Sequence, residues 1–286
     1  MARGNFVTGV PLAQPTTQTP TRTSWVARRK TTILWVLSLP LIAFLLVPLV
    51  ALLLRLAPAA LLAHLFQPQV AQAIALSMAT TSITLLITLL VGTPVGYLLG
   101  RRHFRGRRVI DTLIDLPMVL PPAVAGIALL LAFGRRGLFG QFFGDVGIQI
   151  AFTQTAVVMA QLFVAAPFYV KAAAAGFESI DPELEQAAAL DGAGWMQTFA
   201  WITLPLARTA LLGGAVMTWA RALGEFGATI IFAGNFPGRT QTMPLAIYLG
   251  FELDLNIALT LSVILLGASF LVLLIVKGLL GQRMRF

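Results

Sequence analysis

The sequence predicts an all-α integral membrane protein with six transmembrane helices and both termini in the cytoplasm. Composition is the first observation behind this. Hydrophobic residues make up 58% of the chain and charged residues only 11%, against about 25% charged in a typical soluble domain. The second is that long apolar runs recur, separated by short polar links. The third is that Lys and Arg gather in alternate links. One soluble core does not hide that much apolar surface, so lipid is the solvent. A net charge of +9 would otherwise suggest nucleic acid. Here the basic residues are scattered over the links rather than collected on one domain, which argues against a nucleic-acid partner. The chain has no cysteine, so disulfides and thiolate metal sites are excluded.

The elements follow in order. Residues 1 to 24 are rich in Thr, Pro and Gly without periodicity and read as a disordered tail; the tail is bounded at residue 30 and a transmembrane domain at 31–286. No cleavable signal peptide is evident. The first apolar run, Ile33 to Leu54, is uncharged. It is too long for a signal-peptide core and long enough to cross roughly 30 Å of hydrocarbon. The second span lies within Val70 to Gly100, the third at about Asp111 to Phe133 and the fourth at about Thr153 to Ala174. The fifth runs from about Leu206 to Ala233, and the sixth from Leu255 to Val276.

Charge orients these spans. Arg28, Arg29 and Lys30 precede the first, and the link RRHFRGRR (Arg101 to Arg108) follows the second. Lys171 and Arg208 flank the segment between the fourth and fifth spans, and Lys277, Arg283 and Arg285 follow the sixth. The other side holds only Arg55, Arg135, Arg136 and Arg239. Cytoplasmic links carry the excess of Lys and Arg. That rule puts both termini inside, together with a long link at about 176–205.

That link contains EQAAALDGAGWMQTFAWITLP, Glu185 to Pro205. Glu183 to Leu190 is strong helix-forming sequence, with Asp181 as cap and Pro182 at the first helical position. Asp191 to Gly194 breaks the helix. Trp195 to Thr203 suits a short second helix whose Trp195 and Phe199, four apart, share a face. Leu204-Pro205 then turns the chain into the fifth span. Two readings of the aromatics stand side by side: a knob that docks into a partner's groove, or an interfacial aromatic belt.

The spacing resembles the EAA motif of permease subunits in ATP-binding-cassette (ABC) importers, which implies a type I importer permease fold. Ala187-Ala188 are followed, after three intervening residues, by Gly192, and after nine more intervening residues by Ile202-Thr203-Leu204-Pro205. Gln186 departs from the motif's Glu, with Glu185 beside it. The resemblance implies that Glu185, Ala187, Ala188, Gly192, Trp195, Phe199, Leu204 and Pro205 couple the chain to a separate ATPase. A phosphate-binding loop needs Gly-Lys for its backbone cradle and its cation. This sequence has no Gly-Lys pair, so the chain itself is expected to hold no cofactor and to be no enzyme. ATP and magnesium belong on the partner. A lone permease of this class implies a homodimer, two ABC ATPase subunits and an external oxyanion-binding protein.

Arg221 to Tyr248, RALGEFGATIIFAGNFPGRTQTMPLAIY, resembles molybdate and tungstate permeases. Gly224 to Gly227 and Ala233 to Asn235 are shared with sulfate and thiosulfate permeases, which usually work as heterodimers. The stretch Pro237 to Thr242 is more similar to the molybdate group, and Leu116 to Leu130 fits both. Arg221 and Glu225, four apart in the fifth span, either lock helix packing or attract the anion in passage. Pro121 and Pro122, with Pro117, either kink the third span passively or line its gate. Asn235, Arg239, Thr240 and Thr242 are candidates for contact with the binding protein or the arriving anion. A rival class, the ion-coupled secondary transporter, would show duplicated mid-membrane carboxylates, and no such duplication is visible. His64 and His103 are far apart, which disfavours an intramembrane enzyme.

Overall fold

The computed structural model describes residues 23–55 and 58–281. It divides into two units, one ending at Ala51 and one starting at Leu52. Among the described residues the first unit consists of helix α1, Thr23–Arg55, as far as Ala51. It starts before residue 31, where the tail was expected to end, and runs through Arg28-Arg29-Lys30. The rest of the tail lies outside the described residues. Its apolar stretch has a mean hydropathy of 2.8 and carries Pro40 and Pro48 within the helix.

The second unit is all helical among the described residues: α2 Pro58–Leu65, α3 Pro68–Arg101, α4 Arg107–Val119, α5 Pro122–Phe133, α6 Gly140–Asp145, α7 Gln154–Glu178, α8 Pro182–Leu190, α9 Trp195–Thr198, a π-helical segment Phe199–Thr203, α10 Leu204–Leu223, α11 Gly227–Phe232, α12 Met243–Leu253 and α13 Leu255–Gly281. Among the described residues five helices are long and apolar enough to cross a membrane, and α4 with α5 makes a sixth span if the pair is one broken crossing.

The core is α3 packed along α7, with α10 against both. Small residues make the close approach possible. A Cβ on Gly96 would stand 2.6 Å from that of Ala173, and one on Gly100 would stand 2.5 Å from the Ala174 carbonyl oxygen. Gly214 on α10 meets Ala172 in the same way, at 2.7 Å. In lipid no hydrophobic effect drives helices together, so such contact, with interhelical polar bonds, carries the association. The bonds are present: the Thr84 hydroxyl donates to Gln161 Oε1 at 3.0 Å, and Thr218 donates to the Ala165 carbonyl at 3.2 Å.

Two spans depart from the sequence expectation. The third is not a single kinked helix, because α4 and α5 meet at 116°. Leu120 and Pro121 between them are extended, with ψ of 137° and 134°. Consecutive prolines remove two backbone donors and push the preceding residue out of the helical region. Pro122 then opens α5, where its missing N–H costs nothing. The fifth span also breaks: α10 stops at Leu223 and α11 begins at Gly227. The two breaks touch, since a Cβ on Gly227 would lie 2.7 Å from Pro122 Cβ.

Candidate coupling site

The link between α7 and α10 is built from its caps. Asp181 Oδ1 accepts the Glu183 N–H at 2.9 Å, with Pro182 in the first turn of α8. This is the expected N-terminus. At the other end Gly192 takes φ +87°. The Ala193 N–H then bonds the Ala188 carbonyl, and the Gly192 N–H bonds that of Ala189. This is a Schellman cap, which needs a left-handed residue and so favours Gly.

No turn separates the link from the fifth span, contrary to the expectation at Leu204-Pro205. The chain is helical from Trp195 to Leu223. The π segment explains this. The Leu204 N–H reaches back to the Phe199 carbonyl, a wider i→i+5 step. Pro205 has no N–H to give, so the wider register lets the helix continue past it.

Glu185 is the hub. One carboxylate oxygen lies 2.6 Å from the Arg101 guanidinium, and the other accepts the Thr203 hydroxyl at 2.7 Å. Arg101 also donates to the Ile180 carbonyl at 2.7 Å. Glu185 thus ties α8 to the end of α3 and to the π segment. Arg101 and Thr203 were missed in the sequence. Arg101 is the first of a run of arginines with nothing local to distinguish it. Of the neighbouring motif positions, Gln186 and Ala187 are exposed and Ala188 is buried.

The aromatics take both roles that the sequence left open. Phe199 packs inward, edge-on to Tyr97 at 5.3 Å. Trp195 stacks on Phe199 at 5.9 Å and leaves its outer face exposed. Around them Leu190, Met196 and Trp201 stand out at 89%, 64% and 80% exposure. Nothing local in the sequence distinguishes these three. A cleft of about 630 Å³ is lined in part by Tyr97, Arg101, Arg107, Glu178, Glu185 and Trp195.

Arg221 and Glu225 form a second cluster, 2.7 Å apart. They do not share one continuous helix, because Glu225 lies beyond the end of α10. Its other oxygen accepts the Ala228 N–H at 2.8 Å in the first turn of α11. Glu225 is 1% exposed. The pair braces the break that abuts Pro122, so Pro121, Pro122, Arg221 and Glu225 are brought to one place. The outer-loop candidates separate instead. Thr240 and Thr242 are buried, and Thr240 Oγ1 accepts the Phe236 N–H at 3.1 Å. Asn235 is partly buried and donates to the Leu245 carbonyl at 3.3 Å. Thr240 and Asn235 hold the loop together and Thr242 is buried without a side-chain hydrogen bond, so of these four only Arg239 is open to a docked protein in this arrangement. Among the described residues no group of His, Asp and Glu is placed to hold a metal ion.

Residues 92–286 match the family described as the binding-protein-dependent transport system inner membrane component. This chain belongs to that family. The permease is 40% identical over 205 residues to the probable transport system permease protein NifC of Clostridium pasteurianum, covering 71% of this chain and 72% of that one. It is 41% identical over 233 residues to the molybdenum transport system permease protein ModB of Mycobacterium tuberculosis, with 82% and 88% covered. The sulfate transport system permease protein CysT of Salmonella typhimurium is 34% identical over 207 residues, with 72% and 75% covered. The permease also shares its fold with a chain of a bacterial ABC transporter involved in the import of the acidic polysaccharide alginate. The TM-score there is 0.70 at 16% identity, over 92% of this chain and 100% of that one.

Proposed function

We propose that the permease provides the membrane route for a tetrahedral oxyanion, molybdate or tungstate, driven by ATP hydrolysis on a separate subunit. The observation that carries the coupling is the link from Asp181 to Thr203. It presents exposed Leu190, Met196 and Trp201 on a base fixed by the Arg101–Glu185–Thr203 bonds. Exposed apolar groups on a rigid base are what a groove on a partner would accept. The excess of Lys and Arg on this side supports a cytoplasmic position for the link and for both termini. Two copies of the permease then flank one route, two ATPase subunits hold the ATP and magnesium, and an external binding protein delivers the anion. Glu185, Ala187, Ala188, Gly192, Trp195, Phe199, Leu204 and Pro205 belong to the coupling surface or its support. Pro121, Pro122, Arg221 and Glu225 sit where two interrupted spans meet, a suitable place for a gate.

The relatives named for molybdenum transport support the choice of anion. The more distant relative named for sulfate transport keeps a sulfate permease as the second reading. Purified permease and ATPase in liposomes, supplied with loaded binding protein, separate the two. ATP hydrolysis stimulated by molybdate and tungstate but not by sulfate is the expected result. Stimulation by sulfate alone would transfer the assignment to the second reading, and failure of any ATPase to co-purify would remove the coupling.

A further inference from the structure

Helix α4 packs principally against α7 and has no buried residue. Among the described residues its shortest ion pairs are with Lys171 of α7. Lys171 Nζ lies 2.8 Å from Asp111 Oδ1 and 3.1 Å from Asp115 Oδ2. The two carboxylates are four apart and share one face of α4. Arg107 at the start of α4 approaches Glu178 at the end of α7, at 3.9 Å. The helices therefore run antiparallel. Lys171 stands two turns before Glu178, about 10 Å further into the span at 1.5 Å per residue.

All three side chains are between 35% and 43% exposed. Ionised groups at that depth are costly against lipid and normally face protein or a water-filled cavity. A surface lysine between two aspartates would need no explanation; one on a spanning helix does. Because the triad is partly exposed and carries a net charge of one negative unit, water is a far less costly neighbour for it than lipid.

We propose that Asp111, Asp115 and Lys171 line the cytoplasmic half of the translocation route and set its charge. This rests on the permease reading above and adds the residues that govern exit. The carboxylates outnumber the ammonium, so the exit repels a dianion in either direction and offers it no resting site. Lys171 offsets one of them and keeps that barrier from becoming a block.

The absence of native cysteine makes a direct test possible in the full importer in inside-out vesicles. Met118 is 41% exposed and lies one turn beyond Asp115 on the same face. Met118→Cys would be reacted with membrane-impermeant thiosulfonates of either charge, with Ile114→Cys as a second site should the first fail to assemble. Both reagents are expected to react, the cationic one several-fold faster. The preference is expected to vanish in the Asp111→Asn, Asp115→Asn background, and the rates to change when nucleotide is trapped on the ATPase. Reaction only with a lipid-permeant maleimide would put the triad against lipid and overturn the proposal. Equal rates for the two charges, or rates indifferent to nucleotide, would overturn it as well. Oxyanion-stimulated ATP hydrolysis by the unmodified complex, measured in parallel, separates the two failures. Stimulation without the charge preference removes the triad's role alone. Absence of stimulation removes the importer reading itself.

Discussion

Two arginine–glutamate pairs of nearly equal length hold different parts of this molecule. Arg101–Glu185, at 2.6 Å, joins the end of α3 to α8, residues far apart in the chain. Arg221–Glu225, at 2.7 Å, joins neighbours across a helix break. The first clamps separate elements and also fixes the π segment through Thr203. The second braces one local bend. The chemistry is the same; what differs is how much structure depends on each bond.

Removing the clamp is expected to have the largest effect. Arg101→Ala leaves the Ile180 carbonyl unpaired and Glu185 without its cation, at a cost of about 3 kcal/mol for breaking a largely buried pair. Stimulation of ATP hydrolysis by the loaded binding protein should collapse while the basal rate persists. Arg101→Lys should restore only part of it, because an ammonium lacks the planar fork that reaches two acceptors. Unchanged stimulation in Arg101→Ala would show that the clamp is dispensable and erase the contrast with the second pair.

Breaking the brace should cost less. Glu225→Gln keeps an acceptor for the Ala228 N–H and loses only the ionic partner, at about 1–2 kcal/mol. Arg221→Ala should lower transport while the complex still assembles, measured by anion uptake beside co-purification of the ATPase. Loss of the assembled complex would make the brace as global as the clamp. Gly192→Ala comes next. It meets no neighbouring atom but strains a φ of +87°, at about 1 kcal/mol, readable as a small drop in melting temperature. Arg239→Ala should leave stability unchanged within about 0.5 kcal/mol. Any effect should appear only as a higher concentration of binding protein needed for half-maximal stimulation.

Much of this was legible in the sequence because lipid imposes a simple length and charge code. The helical segments at α1, α3, α7 and α13 follow from long, mostly apolar runs. The caps at Asp181 and Gly192 are local, and local chemistry can be read directly. What escaped depends on distance. Nothing near Arg101 says that its partner is Glu185, and nothing near Thr203 says that its hydroxyl faces the same carboxylate. Thr240 and Thr242 looked like surface hydroxyls because their stretch is polar, yet tertiary packing buries them. The 116° bend was half visible: Pro121-Pro122 announces an interruption, but its angle is set by how α5 packs on α11.

The approach of α3 to α7 has a mechanical consequence. Gly92, Gly96 and Gly100 bring α3 so near to α7 that added Cβ atoms would stand 2.5 to 2.9 Å from its atoms. Surfaces in that contact have little room to slide past each other. A push arriving at the Arg101 end is therefore expected to swing the two helices as one stiff lever, with the stroke taken up where the chain is already interrupted, at Pro121-Pro122 and at Gly224 to Phe226.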